Sequence, residues 1–355
     1  MMANLYAGLI AGILNIAAIP LIIFVATKRG WFDEVNDRKI HTGEISRLGG
    51  IGIFWSFAAT LLLVSIFSRD AAKDALSYWP VGLALLVVHI VGLVDDFKDL
   101  RAKLKFSVHL AAALIVVVAG YRFRTVYLPF AGALNLGFWS YPLTIIWIVG
   151  VINALNMIDG MDGLSGGISI IGALAFALIF IQRQMGTPSV AAVALVGSLT
   201  AYLFYNFPPA RIFMGDSGST FLGFILALFP LLAIPGQADS GLWFYDGITI
   251  LLIPIFDSFA AIIRRLRQGL PIMSADKWHL HHKLLHLGMN VRSILAIIYA
   301  LCMALGLAAA SVLYLSPLLH WLVIMASWFS VGLFFTVLHF KKEKSLERAD
   351  LAENP

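Results

Sequence analysis

The sequence is poor in charged residues, which occupy 13% of its 355 positions, whereas a water-soluble domain carries about 25%. Hydrophobic residues make up 60% of the chain, and its mean hydropathy is +0.88. A single water-soluble core does not account for this composition. It is typical of helical proteins that cross a membrane many times, so we expect a lipid bilayer around the chain and no nucleic-acid partner.

Cysteine is also scarce. Cys302, within an apolar stretch, is the one cysteine of the sequence, which excludes a disulfide framework within the chain and a metal site built from thiolates. We interpret Cys302 as a small packing residue. Because the sequence has no internal repeat, low-complexity tract or soluble domain, we predict one integral-membrane domain over 1–340 and a cytoplasmic tail over 341–355.

Apolar stretches long enough to cross a bilayer recur from end to end. They predict an all-α polytopic membrane protein with about eleven transmembrane helices. The predicted spans are 4–27, 49–68, 77–94, 105–121, 139–156, 166–184, 189–206, 218–234, 244–267, 291–315 and 319–340.

The basic residues predict the orientation of these spans, because Lys and Arg accumulate in cytoplasmic loops. With the N-terminus outside, the inner segments hold 20 basic residues and the outer segments hold 5. We therefore predict an inner (cytoplasmic) membrane protein with its C-terminus in the cytoplasm. The outer loop 122–137 has two short apolar runs around Gly132, which predict a small β-hairpin on the outer, periplasmic side.

Four polar segments interrupt the apolar chain, and the predicted topology places all of them on the inner side. They are 94–99, 153–163, 213–219 and 276–282. Carboxylates and imidazoles are costly at membrane-facing helix ends, so their convergence predicts a site for charged ligands, usually with a metal ion. The pattern favours an enzyme over a transporter.

The first segment holds two adjacent carboxylates, Asp95 and Asp96, which repel each other and attract a cation or a proton. Lys105 follows ten residues after Asp95, where it could offset their charge or bind a phosphate. A solvated turn is the alternative. With Asp99, the pair also fits the Asp-Asp-x-x-Asp pattern of isoprenoid-diphosphate enzymes.

The second segment repeats amide and carboxylate side chains every three residues, at Asn153, Asn156, Asp159 and Asp162. If the run is helical, these side chains lie roughly on one side. Their oxygens and amides can recognise a ribose or a base and bind Mg²⁺.

The third segment places an aromatic ring beside a carboxylate. Phe213 could stack on a base, while Asp216 precedes a helix and could be either a ligand or an N-cap. Asn206 lies just upstream.

The fourth segment joins histidines to nearby basic residues. His279, His282 and His286 are spaced to share a helical face, and with Arg265 they fit anion binding better than zinc. Asp257, inside a predicted span, is expected to be functional or ion-paired. Basic residues of the first inner loop, Lys39 and Arg47, suit a phosphate, although a plain cytoplasmic loop explains them equally well.

Together these segments resemble the polyprenyl-phosphate N-acetylhexosamine-1-phosphate transferases of the MraY-like superfamily. The resemblance covers nearly the whole chain. It rests on four ordered motifs: Asp95-Asp96, the run from Asn153 to Leu164, Phe213-Met214-Gly215-Asp216, and His279-Leu280-His281-His282. The histidine motif is similar to that of the WecA and TagO branch, which uses UDP-N-acetylglucosamine (UDP-GlcNAc), and lacks the three consecutive histidines of the MraY branch.

The resemblance implies a reaction at the cytoplasmic face of the membrane. GlcNAc-1-phosphate would pass from UDP-GlcNAc to undecaprenyl phosphate, giving undecaprenyl-diphospho-GlcNAc and UMP. The expected cofactor is Mg²⁺, with Mn²⁺ as a substitute. A homodimer is allowed, and we favour direct attack by the lipid phosphate over a covalent aspartyl intermediate.

Residue roles follow from the same resemblance. Asp216 would be the main Mg²⁺ ligand, with Asp159 beside it. Asp95 or Asp96 would hold or deprotonate the lipid phosphate, and Lys105 would anchor a phosphate. The nucleotide pocket would contain Asn156, Asp159, Asp162, Asn206 and Phe213, with Phe213 stacked on uracil. The diphosphate would bind to His279, His281, His282 and Arg265.

Three alternatives remain open. A sibling transferase would use UDP-MurNAc-pentapeptide or another UDP-linked hexosamine. A membrane prenyltransferase would require two aspartate-rich clamps, but the second cluster here mixes asparagine, aspartate and glycine. A transporter would place polar groups near the bilayer midplane, often with inverted repeats.

Overall fold

The structure is a computed structural model that describes residues 2–32, 45–67, 76–128, 132–232, 240–271 and 278–353. The described chain is almost entirely helical. Its helices are α1 (Met2–Arg29), α2 (Gly49–Phe67), α3 (Trp79–Lys98), α4 (Ala102–Val118), α5 (Ser140–Ile158), α6 (Leu164–Gln182), α7 (Gly186–Asn206), α8 (Gly215–Leu232), α9 (Ser240–Ile250), α10 (Leu252–Arg267), α11 (Leu280–His286), α12 (Val291–Ala310) and α13 (Pro317–Glu353).

These helices confirm the all-α polytopic membrane fold. Within the described residues, nine helices are long and apolar enough to cross a membrane, and a bent pair makes a tenth candidate. The nine are α1, α2, α3, α5, α6, α7, α8, α12 and α13. The remaining predicted span, 105–121, corresponds to α4, whose 17 residues are at the short end of the lengths that cross a bilayer.

The predicted span 244–267 is broken rather than straight. Phe244–Ile250 and Leu252–Arg267 meet at an angle of 80°. Pro254 stands in the first turn of α10, where a backbone N–H has no partner within the helix and its loss costs little. A straight helix through both halves would instead lose a bond at this proline.

The predicted β-hairpin is present as two short strands, β1 (Thr125–Leu128) and β2 (Gly132–Asn135). They pair antiparallel, with Thr125 opposite Asn135 and Leu128 opposite Gly132. The strands follow α4 and precede α5. The predicted C-terminal tail begins as a continuation of α13, which runs to Glu353.

The helices differ strongly in burial. In the most apolar stretch of α8, 89% of residues are buried inside the protein, against 22% in α1 and 22% in α13. Helix α8 therefore occupies the centre of the bundle, and α1 and α13 lie at its edge. Polar side chains join some of the helices: the Oγ atoms of Ser56 in α2 and Ser198 in α7 are 2.7 Å apart, and Asn15 of α1 donates to the Ser198 carbonyl.

Candidate active site

Three helix-to-helix turns meet at one end of the bundle. They are the turns from α3 to α4, from α5 to α6, and from α7 to α8. At each turn, the C-terminal end of one helix leads within a few residues to the N-terminal end of the next. The first three polar segments of the sequence are thereby brought together.

Asp96 caps the N-terminus of α8 from a different helix. Its Oδ1 accepts a hydrogen bond from the Asp216 amide at 2.7 Å, and its Oδ2 accepts one from the Ser217 amide at 3.1 Å. The first amides of a helix lack partners within it and carry the positive end of its dipole, so a carboxylate stabilises them. Asp96 thus fixes α3 against the start of α8. Asp216 belongs to the first turn of α8 and is not its cap.

Two glycines make this approach of α3 to α8 possible. Gly215 has a φ of +71°, and a Cβ there would lie 2.6 Å from an Asp96 carboxylate oxygen. A Cβ on Gly92, one turn before Asp96, would lie 2.7 Å from the Asp216 carbonyl oxygen. Both positions exclude larger residues, because the neighbouring atoms belong to the cap or to backbone.

Lys105 links the carboxylates of Asp95 and Asp216. Its Nζ lies 2.9 Å from Oδ2 of Asp95 and 2.9 Å from Oδ2 of Asp216. Asp95 is only 4% exposed and also accepts a hydrogen bond from the Leu100 amide at 2.7 Å. One ammonium group from α4 therefore joins a carboxylate of α3 to one of α8.

The segment after α5 contributes Asp159 and Asp162. Burial, together with the smaller effect of the charges of Asp216, Asp96 and Asp162, raises the pKa of the Asp159 carboxyl group to about 8. Asp162 accepts a hydrogen bond from the Ala210 amide at 3.0 Å. Asn156, in the last turn of α5, donates to the Ser219 hydroxyl of α8 at 3.3 Å.

Asn206 connects two of the turns to each other. Its Oδ1 accepts from the Gly163 amide at 2.9 Å, and its Nδ2 donates to the Ile212 carbonyl at 2.8 Å. This buried side chain positions the loops, and its predicted contact with a nucleotide stays a prediction. The sequence predicted Asn206 as a site residue, but it did not predict that Asn206 joins these two turns.

Phe213 is held in place through its backbone. Its amide donates to the Ser46 carbonyl at 2.8 Å, and its carbonyl accepts from the Gly49 amide at 2.9 Å. The ring is half-buried. Arg47 belongs to the same strip of chain, and its carbonyl oxygen lies where a Cβ of Gly215 would project. Lys39 lies outside the described residues.

The histidine segment begins with an imidazole held by Asp257. Nδ1 of His279 lies 2.8 Å from Oδ2 of Asp257, and the Leu280 amide donates to Oδ1 at 2.8 Å. Asp257 therefore has a hydrogen-bonded partner in the histidine segment, and its expected role as a functional or ion-paired residue stays a prediction. Because α11 begins at Leu280, His279 precedes the helix and does not share a helical face with His282 and His286.

His281 faces the aspartate loop. A Cβ on Gly160 would lie 2.8 Å from its Nε2, so this ring joins the histidine segment to the loop of Asp159. Both ring nitrogens are buried without a hydrogen-bond partner in the described chain. Burial lowers the pKa of His281 to about 3, and the neighbouring histidine His282 adds to this effect. Arg265, at the end of α10, is also buried.

The gathered charges fit a divalent cation. Asp95, Asp96, Asp159 and Asp216 bring four carboxyl groups together beside the ammonium group of Lys105, and a bound cation would stabilise their ionised forms, including that of Asp159. Residues 2–32, 45–67, 76–128, 132–232, 240–271 and 278–353 contain no group of three or more His, Cys, Asp or Glu side chains arranged around a metal position. Mg²⁺, however, is commonly held by one or two carboxylates together with substrate phosphates and water.

Comparison with known proteins gives one family. The family model described as glycosyl transferase family 4 matches residues 78–234, the region from α3 to α8 that contains the carboxylate cluster. A probable undecaprenyl-phosphate N-acetylglucosaminyl 1-phosphate transferase of Bacillus subtilis (strain 168) is 33% identical over 312 residues, covering 87% of this chain and 85% of the relative.

Two further relatives agree. The decaprenyl-phosphate N-acetylglucosaminephosphotransferase of Mycobacterium tuberculosis (strain ATCC 25618 / H37Rv) is 31% identical over 87% of this chain and 82% of its own length. The undecaprenyl-phosphate alpha-N-acetylglucosaminyl 1-phosphate transferase of Escherichia coli (strain K12) is 29% identical over the same shares. The chain therefore belongs to the polyprenyl-phosphate N-acetylhexosamine-1-phosphate transferase family.

Proposed function

We propose that this protein transfers GlcNAc-1-phosphate from UDP-GlcNAc to undecaprenyl phosphate. An oxygen of the lipid phosphate attacks the sugar-bearing phosphorus of UDP-GlcNAc, and the bond from that phosphorus to the UMP oxygen breaks. The products are undecaprenyl-diphospho-GlcNAc and UMP. The observation that carries the proposal is the Lys105 bridge between Asp95 and Asp216, in a chain whose relatives are named for this transfer.

The two substrates carry several negative charges that the site must hold close together. Lys105 supplies an ammonium group at the junction of α3, α4 and α8, where it would anchor a phosphate oxygen. Asp95 lies against it and would orient the lipid phosphate through Lys105. That phosphate is already largely ionised near neutral pH, so the reaction needs a positioned nucleophile more than a strong base.

Asp96 holds the start of α8, and with it Asp216, in position. Both of its oxygens accept amide hydrogen bonds at the start of α8, so we assign it to positioning Asp216 and not to direct contact with substrate. This narrows the choice between Asp95 and Asp96 in favour of Asp95 as the residue near the lipid phosphate.

Asp216 and Asp159 would hold the divalent cation, Mg²⁺ or Mn²⁺ in its place. When bound, such an ion neutralises charge on the diphosphate and on the departing UMP. Asn156 and Asp162 would contact the nucleotide, Phe213 would stack on uracil, and Arg265 with the histidines would contact the diphosphate. Asp257 would keep His279 in a fixed orientation through their hydrogen bond.

The site would face the cytoplasm, where nucleotide sugars are made, and the protein would lie in the cytoplasmic membrane. The excess of basic residues in the loops on the side of the carboxylates supports this orientation.

The test is a reconstituted assay with purified protein, Mg²⁺, UDP-GlcNAc and undecaprenyl phosphate, scored for UMP and for labelled lipid. We expect both products in equal amounts and none without the lipid. Asp216→Asn should abolish turnover while the protein still elutes as a folded species. Retained turnover would refute the role of Asp216. Faster turnover with UDP-MurNAc-pentapeptide than with UDP-GlcNAc would show that UDP-MurNAc-pentapeptide is the donor.

A further inference from the structure

A second polar pocket lies at the opposite ends of α4 and α5 from the carboxylate cluster. It encloses about 390 Å³ beside the β-hairpin and is lined by residues that include Arg122, Arg124, Asn135, Phe138, Ser140 and Tyr141. Helix α5 leads from this pocket to the candidate active site, and its 19 residues rise about 28 Å. That distance matches the apolar thickness of a bilayer, so the pocket lies near the other membrane surface.

The pocket contains positive charge that the described chain does not neutralise. In that part of the protein, neither Arg122 nor Arg124 forms an ion pair with a carboxylate. The guanidinium carbon of Arg122 lies 4.2 Å from the centroid of the Tyr141 ring. This cation–π contact holds the guanidinium in position but leaves its charge and its N–H groups for another ligand.

Two buried polar atoms around the pocket lack partners. Nε of Arg122 and Oγ of Ser140 are both buried without a hydrogen-bond partner in the chain as described. Ser140 is only 2% exposed, and a buried hydroxyl without a partner costs free energy. A ligand with several acceptor oxygens would satisfy both groups, and phosphate, like carboxylate, accepts forked hydrogen bonds from guanidinium groups.

Aromatic rings beside the pocket indicate where that phosphate comes from. Phe138 is 78% exposed and Trp139 is 71% exposed, both on the short helical turn that precedes α5. Exposed aromatic side chains of membrane proteins concentrate at the level of the lipid headgroups. A phosphate bound by Arg122 would thus lie at the depth of the headgroup phosphates.

We propose that this arginine pocket binds the phosphate of a phospholipid headgroup at the membrane surface opposite the active site. Arg122 and Arg124 contact the phosphate oxygens, Ser140 donates its hydroxyl hydrogen to one of them, and Phe138 and Trp139 lie beside the glycerol and upper acyl chains. The bound lipid ties the β-hairpin and the start of α5 to the bilayer.

The test measures lipid binding to the purified full chain in a phosphate-free maltoside detergent. Phosphatidylglycerol, a diacylglycerol with the same acyl chains, and inorganic phosphate are titrated separately, and the shift in melting temperature gives an apparent Kd. We expect phosphatidylglycerol to bind and the diacylglycerol not to bind. Arg122→Gln should weaken phosphatidylglycerol binding about tenfold or more, because one charge-assisted hydrogen-bonding group is lost.

Arg292→Gln is the matched control, since it removes the same charge from an exposed position at the start of α12 and should leave the apparent Kd unchanged. Ser140→Ala keeps both arginines and should also weaken binding, which tests the site if Arg122→Gln does not fold. Equal binding by wild type, Arg122→Gln and Ser140→Ala overturns the proposal. Binding of inorganic phosphate as tight as that of phosphatidylglycerol also overturns the lipid assignment and makes the pocket a site for free phosphate.

Discussion

At the scale of single residues, the ammonium group of Lys105 determines whether two carboxylates can stay ionised side by side. It lies 2.9 Å from Asp95 and 2.9 Å from Asp216. Without it, their mutual repulsion would favour protonation of one carboxyl group or displacement of its side chain. The geometry of α3 relative to α8 would then change at the point where both substrates are expected to meet.

Lys105→Gln should therefore reduce the rate of UMP release by about a hundredfold, a loss comparable to that of one preorganised charge-stabilising group. Steady-state assay of the purified variant checks this. Lys103→Gln, an exposed position two residues earlier, should keep the wild-type rate. Equal rates for both variants would show that the bridge has no part in the reaction.

His281 gives a residue-scale prediction about pH. Its pKa in the folded protein is lowered from 6.5 to about 3 by burial, so the unfolded chain takes up a proton at a higher pH than the folded chain. The free energy of unfolding therefore has its full value above about pH 6.5, and it decreases as the pH falls towards 3. We expect the melting temperature of the wild type to fall more between about pH 7 and pH 5 than that of His281→Gln.

The control for this experiment is His286→Gln, which changes an exposed histidine of the same helix. It should follow the wild-type pH dependence. If His281→Gln and the wild type lose stability in parallel on acidification, His281 is not a buried neutral base.

At the scale of helices, the close contact of α3 with α8 depends on Gly92. Gly92→Ala places a methyl group about 2.7 Å from the Asp216 carbonyl oxygen, so the two backbones must move apart. We expect both a lower melting temperature and a turnover reduced by at least about tenfold, since small displacements of catalytic groups have large effects. Thermal unfolding and UMP release measure the two effects separately.

The same helix offers a matched comparison. Gly82 has no atom within 4 Å of the position of an added Cβ, so Gly82→Ala should leave stability and turnover unchanged. A Gly92→Ala variant that behaves like Gly82→Ala would contradict the close packing of α3 on α8.

The helices could be predicted from the sequence because hydropathy is a local property. Each span carries its own run of apolar residues, so the positions of α1 to α8 follow from short windows. The direction in which a helix runs is not a local property of its sequence. Hydropathy over 244–267 gives one apolar run, and the 80° bend between α9 and α10 depends on packing that the run does not encode.

For the candidate site, too, local features could be predicted from the sequence, but features that depend on packing could not. The identities of Asp95, Asp96, Asp159 and Asp216 could be predicted, because acidic residues stand out in an apolar chain. Their separate roles could not. Asp96 accepts a hydrogen bond from the amide of Asp216, 120 residues later, at the start of α8, and Asp257 binds His279 across the loop between α10 and α11. Such contacts depend on which helix ends become neighbours after folding.

At the scale of the whole molecule, the orientation in the membrane can be tested by labelling cysteines. Cys302 is buried, so the background is low and Cys302→Ala removes it. In intact cells, we expect a membrane-impermeant maleimide to label Ala133→Cys in the hairpin. It should label Lys103→Cys, beside the carboxylate cluster, only after the membrane is permeabilised.

Both positions are exposed, so a difference between them reports sidedness and not burial. Labelling of Lys103→Cys in intact cells would place the cluster outside the cell, where nucleotide sugars are absent, and would refute the proposed reaction. It would leave the phosphate pocket intact as a binding site, although on the cytoplasmic surface.

The uneven burial of the helices has a consequence for how such a sequence can diverge. At the lipid boundary, α1 and α13 can exchange one apolar residue for another freely, because a fluid bilayer adjusts to a new side-chain shape. Helix α8 has no such freedom, since its neighbours are themselves tightly packed and a new shape must be accommodated by rigid protein. Tolerated substitutions should therefore accumulate in the helices at the edge of the bundle, while the sequence of the central helix should change slowly.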